Sequence, residues 1–181
     1  MSDTTAGPIL SIGIGAALAI GLSGAGTAVA APSAALFAMR HHRDQSWLVA
    51  WAPMIISGVL SIYGLIIGVI LAMKTLQVSD NPDDAAYLDQ EMGNRMLAAG
   101  LAVGLACLAS GAGMGAFIHR VGAEVTVSHN MTNNPDKEQP LIETSRSAKP
   151  TIPAKALLLN LVFMEAIGLY GLIIALFLSA P

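Results

Sequence analysis

The stretch 157–178, LLLNLVFMEAIGLYGLIIALFL, constrains this chain more than any other. It is a long apolar run holding one ionisable residue, Glu165. The hydrocarbon of a bilayer is about 30 Å thick and takes roughly 20 helical residues to cross. The run is therefore predicted to span a membrane as a helix, with Glu165 near its middle. A charged carboxylate at that depth costs roughly 2.5–3.5 kcal/mol on insertion scales. Desolvation disfavours the charged form, so a carboxyl facing lipid keeps its proton, and one moved beside water or a cation can lose it. Glu165 is the candidate proton-binding residue. The competing expectation is a packing carboxyl, hydrogen-bonded to a neighbour and never titrating.

Composition agrees with a membrane location. The chain of 181 residues is 54% hydrophobic and 12% charged, half the charge of an ordinary soluble domain; mean hydropathy is +0.64. A net charge of −3 supplies no basic surface for nucleic acid. The 18 glycines suit close helix contact in lipid. The single cysteine, Cys107, cannot form an internal disulfide. Asp3, with no Lys or Arg before Arg40, lacks the basic start of a cleaved signal peptide. The first apolar run is predicted to be retained.

Four apolar segments are predicted spans: 8–39, 47–73, 96–118 and 154–178. Polar stretches separate them at 40–46, 74–95 and 119–153. The fold class is an all-α membrane protein with four transmembrane helices. Orientation follows from the Lys and Arg bias of the connections. The first and third carry Arg40, Arg43, Arg120, Lys137, Arg146, Lys149 and Lys155; the second holds only Lys74 and Arg95. Loops 40–46 and 119–153 are therefore expected in the cytoplasm, and 74–95 and both termini on the lumenal side. The sequon at Asn130, Met131 and Thr132 should stay unmodified.

The chain repeats itself. SGVLSIYGLII, from Ser57, parallels MEAIGLYGLII, from Met164, and Ser23-Gly24-Ala25-Gly26 parallels Ser110-Gly111-Ala112-Gly113. The halves 8–73 and 96–178 thus read as tandem helical hairpins, the second with a longer connection. Gly58 stands at the repeat position of Glu165.

Small residues are patterned too. Gly13, Ala17, Gly21, Gly24, Ala28, Ala31 and Ala35 step by fours and threes along the first helix, and Gly100, Gly104, Gly111 and Gly115 do so in the third. Such stripes let helix backbones approach closely. They suit either the inner packing of a ring of hairpins or one four-helix bundle. The second helix has a face of Pro53, Ser57, Ser61, Gly64 and Gly68. Its serines can bond carbonyls of their own helix, or Ser61 or Tyr63 can donate to Glu165. Tyr63 and Tyr170 equally suit interfacial or packing roles.

Other signals carry less. Gly111-Ala112-Gly113-Met114-Gly115 lacks a following GK[ST] and lies in an apolar run, so it is no phosphate loop. His41 and His42 supply too few ligands for a metal. The acids Asp80, Asp83, Asp84, Asp89 and Glu91 lack a Ca²⁺-loop spacing. No nucleophile–base pair suggests covalent chemistry. No metal and no cofactor are expected.

FMEAIGLYGLIIALFL, PMIISGVLSIYGLII and AAGLAVGLACLASGAGMG, in the fourth, second and third segments, resemble the proteolipid subunits of V-type proton-translocating ATPases. The resemblance covers all four spans. A carboxyl in the fourth helix, with Gly58 in the second, is similar to the c and c′ types rather than c″. The connection 119–153 is longer than the family's. The resemblance implies a homo- or hetero-oligomeric ring in the membrane (V0) sector of vacuolar, lysosomal or endosomal-type membranes. It implies a rotor turning against subunit a and its arginine, above a central stalk with subunit d. Glu165 would carry the proton, ATP being hydrolysed by separate subunits. Tyr63, Ser61, Leu161, Leu169 and Leu172 are expected to support or flank it. Gly24, Gly100, Gly104, Gly111 and Gly115 are expected to pack the helices. Two alternatives stand: a Na⁺-coupled rotor, which wants more oxygen ligands than the sequence offers, and a structural or pore-forming tetraspan protein, which has no use for Glu165.

Overall fold

The computed structural model describes residues 6–41, 47–80, 90–132 and 154–180. They form four helices: α1 (Ala6–His41), α2 (Trp47–Asp80), α3 (Gln90–Thr132) and α4 (Ala154–Ser179). Each contains a stretch long and apolar enough to cross a membrane: Gly7–Arg40, Trp47–Leu76, Glu91–Gly122 and Ala156–Ser179. In hydrocarbon every backbone N–H and C=O must find a partner within the protein, which a continuous helix provides. α1 runs on through Pro32 and α2 through Pro53, each proline removing one N–H from the helical ladder.

The helices outrun the apolar segments. α3 has 43 residues, about 64 Å of helix, so residues 119–132 of the expected 119–153 loop are helical. Residues 133–153 lie outside the described residues. Likewise 74–80 extend α2 and 90–95 open α3, leaving 81–89 of the second connection undescribed. Hydropathy marks where the apolar stretch stops. Helical hydrogen bonding continues past that point, because polar side chains do not break a helix.

Two antiparallel hairpins, α1–α2 and α3–α4, lie side by side with α1 parallel to α3. α1 packs on α2 and α3, and α4 packs on α3 and α2; α1 does not touch α4. Glycines set the α1–α3 spacing. A Cβ on Gly100 would strike the carbonyl of Gly15, and one on Gly111 that of Gly26. Gly104 and Gly115 stand 2.9 and 3.0 Å, by the same measure, from the carbonyls of Leu18 and Val29.

The stripe expected on α1 faces the other way. Gly13, Ala17, Gly21 and Ala28 are exposed, and a Cβ on Gly13, Gly21 or Gly24 would meet nothing within 4 Å. The buried face of α1, shared between α2 and α3, carries Ile12, Gly15, Ala19, Ser23, Gly26, Ala30, Ala34 and Phe37. α1 is rich in small residues on more than one face, so their spacing did not reveal which face is inside. A side chain at Gly24 would meet open space within the chain. The core between the hairpins holds Leu60, Ile67, Met96, Val103, Cys107 and Met114.

A candidate mid-membrane proton site

Glu165 lies near the middle of α4 and is half-buried. Its Oε1 accepts a hydrogen bond from the Tyr63 hydroxyl at 3.0 Å. Tyr63 stands near the middle of the α2 span, so the pair sits at mid-depth and joins the two hairpins. Gly168, one turn beyond Glu165, permits this. A Cβ there would come within 2.7 Å of Leu60 Cδ2 and 3.7 Å of both Tyr63 Cδ2 and Cys107 Sγ. Without that side chain, α2 approaches α4 closely enough for the phenol to lie alongside and reach the carboxyl.

α3 holds α4 as well. The Ser110 hydroxyl donates to the carbonyl of Met164 at 2.6 Å, one residue before Glu165. Gly113 leaves room for the Met164 thioether, which would lie 2.8 Å from a Cβ. Gly171 abuts Ala102, Val103 and Ala106. Beyond the site, Lys74 of α2 donates to the Ser179 carbonyl at the end of α4.

The expected supporting residues divide. Tyr63 lies on the carboxyl. Ser61 donates to the Gly58 carbonyl of its own helix at 2.8 Å, so its one hydroxyl proton is spent there and not on Glu165. Leu161 is fully buried in the core and presents no outward surface. Leu169 is 40% exposed beside the site, and Leu172 is half-buried. The outward surface comes instead from Val162, Phe163, Ile167 and Tyr170, with Phe163 at 73% exposure. The i, i+3 and i+4 geometry explains this: Leu161 and Glu165 share a face, but the carboxyl sits at its edge, where the α2–α4 seam opens. The roles of Ser110, Gly168 and Lys74 were not read from the sequence. The sequence marks Ser110 only as the repeat partner of Ser23, and a hydroxyl inside a glycine-rich run does not announce its acceptor.

A hydroxyl-bound carboxyl near the middle of a four-span bundle defines a class of multi-span membrane protein that carries an ionisable group inside its apolar spans. Relatives agree with that class. The chain is 29% identical over 184 residues to the V-type proton ATPase 16 kDa proteolipid subunit c of Homo sapiens, covering 99% of each. It is 30% identical over 167 residues to the V-type proton ATPase subunit c' of Eremothecium gossypii, covering 92% of this chain and 84% of that one. It is 29% identical over 167 residues to subunit c' of Saccharomyces cerevisiae. No family model matches the chain. The chain belongs to the proteolipid subunits of V-type proton ATPases and is a multi-pass integral membrane protein.

Proposed function

We propose that this chain is a c- or c′-type rotor-ring subunit and that Glu165 is the group that carries the proton. The ring forms with further proteolipid subunits and turns against subunit a. The observation that carries the reading is the Tyr63–Glu165 hydrogen bond at mid-depth.

The chemistry follows from environment. Facing lipid, a carboxyl is held neutral because hydrocarbon does not solvate its charge. The Tyr63 hydroxyl satisfies the carbonyl oxygen and keeps the group turned toward the α2–α4 seam. Beside the arginine of subunit a, an opposite charge favours the ionised form. The proton then leaves to water on one side of the membrane, and the emptied carboxylate is reloaded from the other. Repeated around the ring, this moves protons in one direction and acidifies the lumen, with ATP hydrolysis elsewhere supplying torque. The small-residue seam between α1 and α3 stiffens the rotor.

The test is ATP-driven acidification of vesicles whose only proteolipid of this type carries Glu165→Gln, with assembly followed by co-purification. Gln keeps the size and the carbonyl acceptor but cannot exchange a proton. Abolished pumping in an assembled complex is expected. Pumping at the unmodified rate would reduce Glu165 to a packing residue and overturn the reading.

A further inference from the structure

The two hairpins use the same backbone carbonyl as an anchor, but not with equal grip. In the second hairpin Ser110, 1% exposed, donates its proton to the Met164 carbonyl at 2.6 Å, its one acceptor among the described residues. In the first, the repeat-equivalent carbonyl is that of Ser57, and its donor is Thr27 at 3.1 Å. Thr27 also lies 3.2 Å from the carbonyl of Ser23, so one hydroxyl proton is divided between two acceptors. The firm anchor stands next to Glu165; the divided one stands next to Gly58, where there is no carboxyl.

We propose that Ser110 is a positioning residue for Glu165, acting through the Met164 carbonyl. Consecutive helical residues are fixed relative to each other, so pinning the Met164 carbonyl to α3 fixes the rotation of α4 about its own axis at Glu165. Tyr63 reaches the carboxyl from α2, a different helix. The two bonds divide the work. Ser110 holds the backbone and need never break. Tyr63 holds the side chain and must let go when the proton is exchanged. Release then swings one carboxyl rather than turning a helix. Without Ser110 the rotation of α4 loosens, and Glu165 meets Tyr63 less often. The inference rests on the reading of Glu165 as a proton carrier.

The test uses membranes holding the assembled ATPase with each variant as the only copy of this subunit. It measures ATP-driven proton transport and the rate at which dicyclohexylcarbodiimide labels Glu165. Ser110→Ala is expected to slow transport about three-fold, the size of a typical interhelical hydrogen bond in lipid, with assembly unchanged. Labelling should rise by a similar factor, because the carboxyl is less held by Tyr63. Ser110→Thr, which keeps the hydroxyl, should return both toward wild type, and Thr27→Ala should leave labelling at the wild-type rate. Labelling of Ser110→Ala at or below the wild-type rate overturns the proposal. So does an equal change in Thr27→Ala, which would make the hydroxyls general packing groups. Ser110→Cys, close in size and a weak donor, serves if Ser110→Ala does not assemble; assembly of neither makes Ser110 a folding residue and overturns the proposal too. Wild-type labelling separates the two readings. If Glu165 is labelled and only the Ser110 effect is missing, this inference alone fails. If Glu165 is not labelled and Glu165→Gln still pumps, the proton-carrier reading fails first.

Discussion

Tyr63, in the first half of a duplicated chain, donates its hydroxyl to Oε1 of Glu165 in the second half. Its own repeat partner, Tyr170, is 63% exposed on α4. Duplication has therefore not produced two equal sites. One half contributes the donor, the other the acceptor, and the second tyrosine is turned outward.

Tyr63→Phe removes the donor and keeps the ring that packs beside Gly168. An intramolecular hydrogen bond nets about 1 kcal/mol, which corresponds to roughly a five-fold rate effect at 1.36 kcal/mol per decade. Proton transport is expected to fall by about that factor with the complex intact. Tyr170→Phe should leave transport unchanged. Initial acidification rates of both variants, normalised to assembled complex, check this; an unaffected Tyr63→Phe would remove the tyrosine from the site.

The α1–α3 seam gives a sharper contrast. A Cβ at Gly111 would strike the Gly26 carbonyl, which is backbone and cannot rotate aside. Gly111→Ala must therefore push the helices apart, and overpacking of this kind costs about 1–3 kcal/mol. Gly24→Ala meets nothing within 4 Å. Thermal unfolding of the purified subunit in detergent should show a lowered midpoint for Gly111→Ala and an unchanged one for Gly24→Ala. The reverse order would mean that the seam is misassigned.

These glycines also show how far the sequence could be read. Four spans, their pairing into hairpins and the mid-membrane carboxyl follow from hydropathy and repetition, because lipid forces each apolar run into a continuous helix. In the third helix Gly100, Gly104, Gly111 and Gly115 lie on the face that meets the α1 backbone. In the first helix Gly13, Ala17, Gly21 and Ala28 are exposed within the chain, and Ala and Gly occur nearly all round α1, so spacing alone does not pick out its buried face. Ser110 was illegible for another reason: its acceptor is a main-chain carbonyl on another helix, and no residue type signals that. The ends of α3 were missed because polarity marks the membrane edge and not the end of a helix.

Lys74 ties the far end of the same helix pair. It is half-buried on α2 and donates to the Ser179 carbonyl, one of the last in α4. The last carbonyls of a helix lack intrahelical partners, and a cation there also suits the helix dipole. Lys74→Met keeps the stem and removes the charge. With partial exposure taken into account, the loss is expected near 1 kcal/mol, lowering the unfolding midpoint by about 2–4 °C. Transport should persist, because the bond lies far along the helices from Glu165. A scan of thermal stability beside a transport assay separates the two effects.

The last prediction concerns orientation. Antiparallel hairpins place the end of α1, the start of α2, the end of α3 and the start of α4 on one side of the membrane. That side carries Arg40, Arg120 and the basic residues of the third connection, and the Lys and Arg bias predicts that it faces the cytoplasm. The native Cys107 is fully buried, so an introduced thiol can be read against a silent background. In sealed, cytoplasmic-side-out vesicles, Ser147→Cys should react with an impermeant thiol reagent, and Asp84→Cys only after the membrane is opened. The sequon at Asn130 should likewise carry no glycan, giving no mobility change on deglycosylation. Reaction in the opposite pattern, or a glycan at Asn130, would turn the chain over. Glu165 would stay at mid-depth, and only the two sides between which its proton moves would exchange.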